Sequence, residues 1–335
     1  MEGAAVREEY LFIQQIREDP TDDIPRLIFA DFLEEAGDEQ GELIRVQVEL
    51  SRVAVGDPRR AALIERERAL LDEFGDRWLA PMHALGVEGA SVRCFQRGLI
   101  ERVRIPASRF LESGLELCQI TPALHCIELT DITDVATNFA AFPLPAQITA
   151  IDFSSKRLEA EHISAMFTAG WWRHISRLDL RSNLLEDEGV LTLTEIELPA
   201  LKYLSLDFNN LGPDAAAALA AWPSLGNVEH LSLSVNSLGD VGVQRLMNSA
   251  FLGSIKRLDL ASNRIAARGV RHLAKATVPA LRELNLRSNS IDESGMRSLV
   301  EAPFVRQLTG IDVRGNADIS QLQHALPQGV VRPLT

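Results

Sequence analysis

Residues 175–185 read ISRLDLRSNLL, and the pattern returns as LKYLSLDFNNL at 201–211, VEHLSLSVNSL at 228–238, IKRLDLASNRI at 255–265 and LRELNLRSNSI at 281–291. Each copy fits L-x-x-L-x-L-x-x-N-x-L, and consecutive copies begin 26 or 27 residues apart. A fixed period of about 20–50 residues is the signature of a solenoid, in which each unit packs on its neighbours. This stretch therefore decides the fold.

Weaker copies extend the repeat in both directions. ITAIDFSSKRL at 148–158 keeps the apolar positions but carries Lys156 in place of the Asn, and LTGIDVRGNAD follows at 308–318. Two degenerate units, IERVRI at 100–105 and LHCIEL at 124–129, precede them at steps of 24 residues. We predict degenerate first repeats at 100–147, regular repeats at 148–316 and a C-terminal cap at 317–335.

The spacing predicts one strand and one helix in each unit. In L-x-x-L-x-L the alternation of apolar residues is typical of a short strand with one buried face. After the strand a small residue such as Gly189 stands at the fifteenth position, and apolar residues such as Val190 and Leu193 follow at helical spacing. We predict a right-handed α/β solenoid with parallel strands on one wall and helices on the other.

An Asn occupies the ninth position of most units. Its amide carries two donors and an acceptor, so an inward-facing Asn can satisfy backbone groups of its own coil and of the adjacent coil. We predict a buried structural ladder formed by Asn183, Asn209, Asn236, Asn263, Asn289 and Asn316.

The repeat resembles the leucine-rich repeat. Its unit length and its L-x-x-L-x-L-x-x-N-x-L-x-x-x-G-x-x-x-L body are most similar to the ribonuclease-inhibitor-like subclass, strongly over 148–316 and weakly over 100–147. The resemblance implies a horseshoe with its strands on the concave wall and a non-enzymatic, protein-binding function. The alternative that it leaves open is a binding-type regulator of an enzyme, in the manner of ribonuclease inhibitors or repeat-type GTPase activators.

Residues 1–90 lack the repeat and predict an all-α domain, separate from the solenoid at 91–335. EEYLFIQQIREDP and DDIPRLIFADFLEEAG read as amphipathic helices, and GELIRVQVELSRV and RRAALIERERALLDEFGDRWL predict two more. The packed faces are predicted to carry Leu11, Phe12 and Ile16 in the first helix and Leu27, Ile28, Phe32 and Leu33 in the second.

This front segment resembles the short repeat-companion domain of many planctomycete bacterial proteins. The similarity is dense over residues 8–50, above all in DDIPRLIFADFLEEAGDE and ELIRVQ. It implies a bacterial, planctomycete source and no particular chemistry. The polar residues of this stretch form either a partner site or ion pairs and caps within the domain: Arg26, Asp31, Glu34, Glu35 and Asp38.

Composition and charge restrict the partners. Hydrophobic residues make up 46% of the 335 and charged residues 24%, which is typical of a globular protein. Residues 1–90 carry 21 acidic and 10 basic side chains, and the remainder carries 26 and 24, which gives the net charge of −13. Clustered basic residues, which nucleic acids and anionic membranes require, are missing from this balance. We predict a protein partner, no nucleic acid or membrane partner, and a monomer.

Sequence features also indicate the cellular compartment of the protein. No stretch approaches 18 uninterrupted apolar residues, and MEGAAVREEYLF lacks the pattern of a secretory signal. Cys94, Cys118 and Cys126 are too scattered for a disulfide framework, and unpaired thiols suit a reducing compartment. We predict a cytoplasmic protein.

No motif with fixed catalytic spacing occurs. The chain lacks G-x-x-x-x-G-K-[ST], H-E-x-x-H, G-x-S-x-G, G-x-G-x-x-G and C-x-x-C, so we predict no catalytic residues, no metal ligands, no cofactor and no enzymatic activity. Aromatic and Arg residues most often dominate protein interfaces. The strand register predicts a partner-binding site on the concave face formed by Arg177, Asp179, Arg181, Tyr203, Phe208, His230, Val235, Arg257, Asp259 and Arg287.

Overall fold

The acidic front of the chain folds into helices, as the sequence predicts. The computed structural model describes residues 2–19, 22–87, 90–167 and 170–317. Its first four helices are α1 (Glu2–Glu18), α2 (Ile24–Glu35), α3 (Gln40–Arg52) and α4 (Arg59–Ala84). Pro25 lies in the first turn of α2, where a missing N–H costs no helical hydrogen bond, and Asp22 Oδ1 accepts from Ile24 N at 2.9 Å.

The packed faces of α1 and α2 agree with the prediction at five of seven positions. Ile16 and Leu33 lie in one buried cluster, and the partly buried side chains of Phe12, Leu27 and Phe32 pack against it. Leu11 and Ile28, which the sequence assigned to the packed faces, are instead 51% and 46% exposed. Ile13 and Phe29 are buried in the cluster in their place.

The same compact unit continues through the two degenerate repeats and comprises residues 1–130 and 144–150. Strands β1 (Phe95–Gln96) and β2 (Leu99–Ile100) form an antiparallel pair. Strand β3 (Arg102–Pro106), helix α5 (Ala107–Ile120) and strand β4 (Cys126–Thr130) follow. Strands β3 and β4 are parallel, with Arg102 opposite Cys126, which matches the 24-residue step of the sequence.

The second unit, residues 131–143 and 151–335, alternates helices and strands. In chain order its elements are α6 (Ala136–Ala141), β5 (Ala150–Asp152), α7 (Ala160–Met166), β6 (Arg177–Asp179), α8 (Glu186–Thr194), β7 (Tyr203–Ser205), α9 (Pro213–Ala221), β8 (His230–Ser232), α10 (Gly239–Met247), β9 (Arg257–Asp259), α11 (Ala267–Ala274), β10 (Glu283–Asn285), α12 (Glu293–Val300) and β11 (Gly310–Asp312). Short 3₁₀ turns precede several strands: Gly170–His174, Pro223–Asn227, Leu252–Ser254 and Pro303–Gln307.

Strands β6 to β11 are parallel and in register, so that equivalent residues of successive coils lie side by side. Leu178, Leu204, Leu231, Leu258 and Leu284 form one such buried row. Burying a Leu side chain stabilises a fold by about 1.5–3 kcal/mol relative to leaving it exposed. The middle apolar position of each strand therefore builds a continuous core that no single coil could form.

A small residue at the fifteenth position lets consecutive helices approach each other. A Cβ on Gly295, near the start of α12, would lie 3.0 Å from the Cα of Ala267 in α11. That distance is shorter than an ordinary van der Waals contact with backbone, so a side chain here would push the two helices apart. The glycines of the repeat are therefore packing residues.

Two further sequence-based predictions concern the C-terminal cap and membrane-spanning segments. The C-terminal cap predicted at 317–335 lies, apart from Ala317, outside the described residues. Within the described part of the chain, no helix has both the length and the apolar composition to cross a lipid bilayer.

Candidate protein-binding surface

The outward side of strands β6 to β11, called here the strand face, carries three rows of side chains. The first row begins the strands and contains Arg177, Tyr203, His230, Arg257, Glu283 and Gly310. The second row ends the strands and contains Asp179, Ser205, Ser232, Asp259, Asn285 and Asp312. The third row lies two residues further along and contains Arg181, Asp207, Ser234, Ala261, Arg287 and Arg314.

The first row is held by stacking and by an ion pair. The guanidinium carbon of Arg177 lies 3.4 Å from the ring centroid of Tyr203, and the Tyr203 and His230 rings are 6.2 Å apart. Arg257 Nε lies 2.6 Å from Glu283 Oε2. Burial, and secondarily the charge of Arg257, lowers the pKa of His230, so this imidazole is neutral at pH 7. The row thus presents a neutral aromatic pair between two arginines.

The second row faces away from the core and is nevertheless largely buried. Asp152, Asp179, Ser205 and Asp312 are each at most 4% exposed, because strands stand only about 4.8 Å apart and longer neighbours cover the short side chains. The carboxylate of Asp179 accepts from Arg181 N at 3.2 Å and lies 3.3 Å from the Arg181 guanidinium. Burial, with a further contribution from Asp152, still raises the pKa of Asp179.

The raised pKa of Asp179 predicts a pH effect on stability. Between the unfolded value of 3.8 and the raised folded value, the folded chain binds more protons, so the free energy of unfolding falls as pH rises through that window. Asp179→Asn is therefore expected to increase the free energy of unfolding at pH 7 and to flatten its dependence between pH 4 and 7. The substitution keeps the turn, because Asn285 occupies the same row and accepts from Arg287 N at 3.0 Å.

Urea unfolding of both proteins at several pH values measures this effect. Asp72→Asn, which makes the same change of charge at an exposed position of α4, serves as the control. Equal gains from both substitutions at pH 7 would show that net charge, and not burial of Asp179, sets the effect.

Asp207 in the third row organises two neighbouring coils, a role that the sequence analysis missed. Its Oδ1 accepts from the Ser232 hydroxyl at 2.5 Å and from Ser234 N at 2.7 Å, and its Oδ2 accepts from the Ser205 hydroxyl at 3.3 Å. The sequence feature that could have indicated this role is the acidic residue at the seventh position of the unit, where the other regular units carry Arg, Ser or Ala. Asp207 fixes the backbone beside the aromatic pair.

Phe208 and Val235, called here the rim pair, stand beyond the strands in left-handed backbone. Their φ angles are +55° and +54°, and Phe208 N donates to Ser234 O of the next coil at 3.0 Å. The left-handed region costs a residue with a Cβ about 1–2 kcal/mol, and a β-branched residue there is an outlier. The equivalent positions of other units carry Ser155, Ser182, Ser262, Ser288 and Gly315. Phe208 is also 56% exposed.

The predicted binding residues therefore occupy two places. Tyr203 and His230 begin their strands, whereas Phe208 and Val235 follow five residues later, up to about 16 Å along an extended chain. Arg181, Asp259 and Arg287 lie between these two ends of the strand face. Leu184, which the sequence analysis did not select, is also exposed and follows Ser182 on the adjacent coil.

The ninth-position Asn residues connect consecutive coils. Asn236 Nδ2 donates to Leu206 O of the preceding coil at 3.0 Å and to Leu233 O of its own coil at 2.9 Å, and its Oδ1 accepts from Asn209 N and Leu211 N, both at 3.0 Å. Asn183, Asn209, Asn263 and Asn289 are buried and bonded in the same way, and Asn316 is half-buried with an equivalent set of bonds. These residues build the scaffold and are not available to a partner.

Comparison with known proteins places this geometry in a class. A family model described as leucine-rich repeat matches residues 173–193, 198–220, 254–274 and 279–300. The repeat, the in-register parallel strands and the helical wall agree with it, so the matched segments of the second unit are leucine-rich repeats. Domains of this class generally bind other proteins.

Solved structures provide more distant similarities. An internalin (inlF) from Listeria monocytogenes is 14% identical with a TM-score of 0.34, and the match covers 60% of this chain and 56% of that chain, so this chain spans just over half of the internalin. A structure of the Rad7 and Elc1 complex in yeast is 17% identical with a TM-score of 0.40, covering 72% of this chain and 75% of that chain. No curated protein matches the sequence.

Proposed function

We propose that the protein is a non-enzymatic interaction module that binds a protein partner on the concave strand face of its repeats, including the rim pair. The observation that carries this proposal is the exposed ring of Phe208 at a position where four other units carry Ser and one carries Gly. Aromatic side chains, Phe among them, are enriched at protein interfaces.

The chemistry of the surface specifies the partner further. Phe208 offers an exposed ring, and the Arg177–Tyr203 stack offers a second flat contact at the other end of the strands. Among the described residues, neither Arg177 nor Arg287 has a carboxylate within ion-pair distance. A partner segment with an apolar side chain for the rim pair and acidic side chains for these arginines is complementary to the face.

Capture from a lysate of the native host tests the proposal, with the intact chain compared with Phe208→Ser. Serine is the residue of four equivalent positions, so we expect this variant to be at least as stable as the intact chain and to bind the partner at least tenfold more weakly. Tyr203→Ala tests the other end of the strand face in the same way.

Leu191→Ser is the matched control, because it removes an apolar side chain that is 48% exposed on α8, away from the strand face. Capture that is lost with Leu191→Ser and retained with Phe208→Ser would overturn the proposal. Assaying any enzymatic activity of the captured protein with and without this chain distinguishes a regulator from a scaffold.

Finer features of the classification rest on the sequence resemblance. We propose that the repeats belong to the ribonuclease-inhibitor-like subclass, that residues 1–90 form a planctomycete-type repeat-companion domain and that the solenoid starts at residue 91. We also propose a monomer in the bacterial cytoplasm. Cys118 and Cys126 are buried, and burial raises the pKa of Cys118 to about 12, so the Cys118 thiol is protonated and unreactive at neutral pH.

A further inference from the structure

The first unit contains a cavity of about 170 Å³ between α1, α2 and α4. Its inner wall is apolar and fully buried, with Ile13, Phe29 and Met82 at most 3% exposed. Ile120, at 38% exposed, lines the other side, so the cavity extends from the core to the surface. An apolar cavity of about 150 Å³ is large enough to bind benzene, so this cavity accommodates a molecule with one ring.

Trp78 gives the cavity a directional polar group. Its ring lines the cavity and packs 5.7 Å from each of the rings of Phe74 and Phe95. The Nε1–H of Trp78 is buried and has no acceptor among the described residues. The described tryptophans of the second unit differ, because Trp172 Nε1 donates to Met166 O at 3.0 Å and Trp222 Nε1 donates to Ile196 O at 2.8 Å.

The other polar groups of the lining restrict the charge of an occupant. Gln40 Nε2 donates to Gly98 O at 2.9 Å, and the Thr121 hydroxyl donates to Leu117 O, so both donors have protein acceptors. Asp38 also lines the cavity, and its carboxylate disfavours an anionic occupant. A buried donor without an acceptor is unfavourable, and a bound acceptor would satisfy it.

We propose that this cavity binds a small neutral molecule that combines one apolar ring with a hydrogen-bond acceptor, and that Trp78 Nε1–H donates to this acceptor. The site lies within the first unit and is independent of the protein-binding function proposed for the strand face. Volume, apolar walls and the Trp78 donor together define the ligand class, since none of the three alone would select a ring with an acceptor.

The test uses the full-length protein labelled with ¹⁵N-tryptophan and titrated with acetophenone. Trp78→Phe assigns the Nε1–H resonance of Trp78 among the 4 tryptophans. We expect acetophenone to move this resonance downfield in a saturable manner while the resonances of Trp172 and Trp222 stay in place. Ethylbenzene has the same ring and no acceptor, and we expect at least tenfold weaker binding and no downfield shift.

Ala123→Leu fills the cavity, because Ala123 is buried in its lining, and should abolish the acetophenone shift. If that variant does not fold, Ala123→Val takes its place and should weaken binding at least fivefold. A Trp78 resonance that is unmoved at the solubility limit of acetophenone would overturn the proposal. An equal downfield shift with ethylbenzene, or a full response in a folded cavity-filled variant, would overturn it too.

Discussion

Asn236→Leu is expected to lower the free energy of unfolding by about 3–5 kcal/mol. The substitution keeps the approximate volume of the side chain but removes the amide that joins two coils. Leu206 O, Asn209 N and Leu211 N then lose the partner that Asn236 gives them, while Leu233 O keeps its bond from Asn263 Nδ2 at 2.8 Å. A buried polar group without a partner costs about 1–3 kcal/mol, and local relaxation recovers part of the sum.

Urea unfolding followed by circular dichroism measures the loss, with Asn316→Leu as the matched control. Asn316 makes equivalent bonds to Leu286 O, Val313 O and Ile291 N, but it is half-buried, so water can replace the amide. We expect a loss of about 1 kcal/mol for the control. Equal losses at the two positions would show that the missing hydrogen bonds, and not their burial between coils, determine the effect.

The repeat fold could be predicted because its determinants are local and recur. A buried apolar residue at the fourth and sixth positions packs in the core, and an Asn at the ninth position bonds the backbone of adjacent coils. Most of the regular units repeat these residues for the same physical reasons. The rim pair shows what this reasoning overlooked. Other units carry Ser or Gly at this position, so Phe208 and Val235 could have been recognised from the sequence as large apolar departures from the repeat.

Features that depend on the side chains of neighbouring coils could not be predicted from the repeat pattern. The alternation of the strand placed Asp179 on the outward face correctly, yet its pKa is raised by burial and by Asp152 against the opposing effect of Arg181, and no pattern specifies the side-chain positions that set this balance. The predicted helical faces of the front segment are wrong at Leu11 and Ile28 for a related reason. Apolar residues stand at both 11 and 13 and at both 28 and 29, and only packing selects Ile13 and Phe29.

The polar stretch of α2 illustrates the same limit at longer range. Arg26 forms a buried ion pair with Glu101, at the start of a degenerate repeat, and Asp31 and Glu34 pair with Arg45 of α3. These contacts support the interpretation of the polar residues of α2 as partners in ion pairs within the first unit. Glu101 occupies a variable position of IERVRI, so its ion pair with Arg26 could not be predicted from the sequence.

Arg26→Met is expected to lower the free energy of unfolding by about 3–5 kcal/mol, because it leaves the carboxylate of Glu101 buried without its cation. Burial lowers the pKa of Arg26 despite the opposing charge of Glu101, which shows that desolvation of the pair is large. The double variant Arg26→Met/Glu101→Leu removes both charges and is expected to recover most of the loss. A double variant less stable than Arg26→Met would contradict this account of the pair.

His125 makes the loss in Arg26→Met depend on pH. Burial lowers the pKa of His125, Arg26 lowers it further, and Glu101 raises it, so removing Arg26 shifts the pKa of His125 upward. Because the folded-state pKa of His125 lies below its unfolded value, His125 lowers the free energy of unfolding as pH falls, and a smaller depression of this pKa in Arg26→Met reduces that cost. The deficit of Arg26→Met should therefore be smaller at pH 6 than at pH 8 in urea unfolding. Adding Glu101→Leu removes the charge that attracts the proton, and Glu101 affects the pKa of His125 more than Arg26 does, so the deficit of the double variant should no longer be smaller at pH 6 than at pH 8.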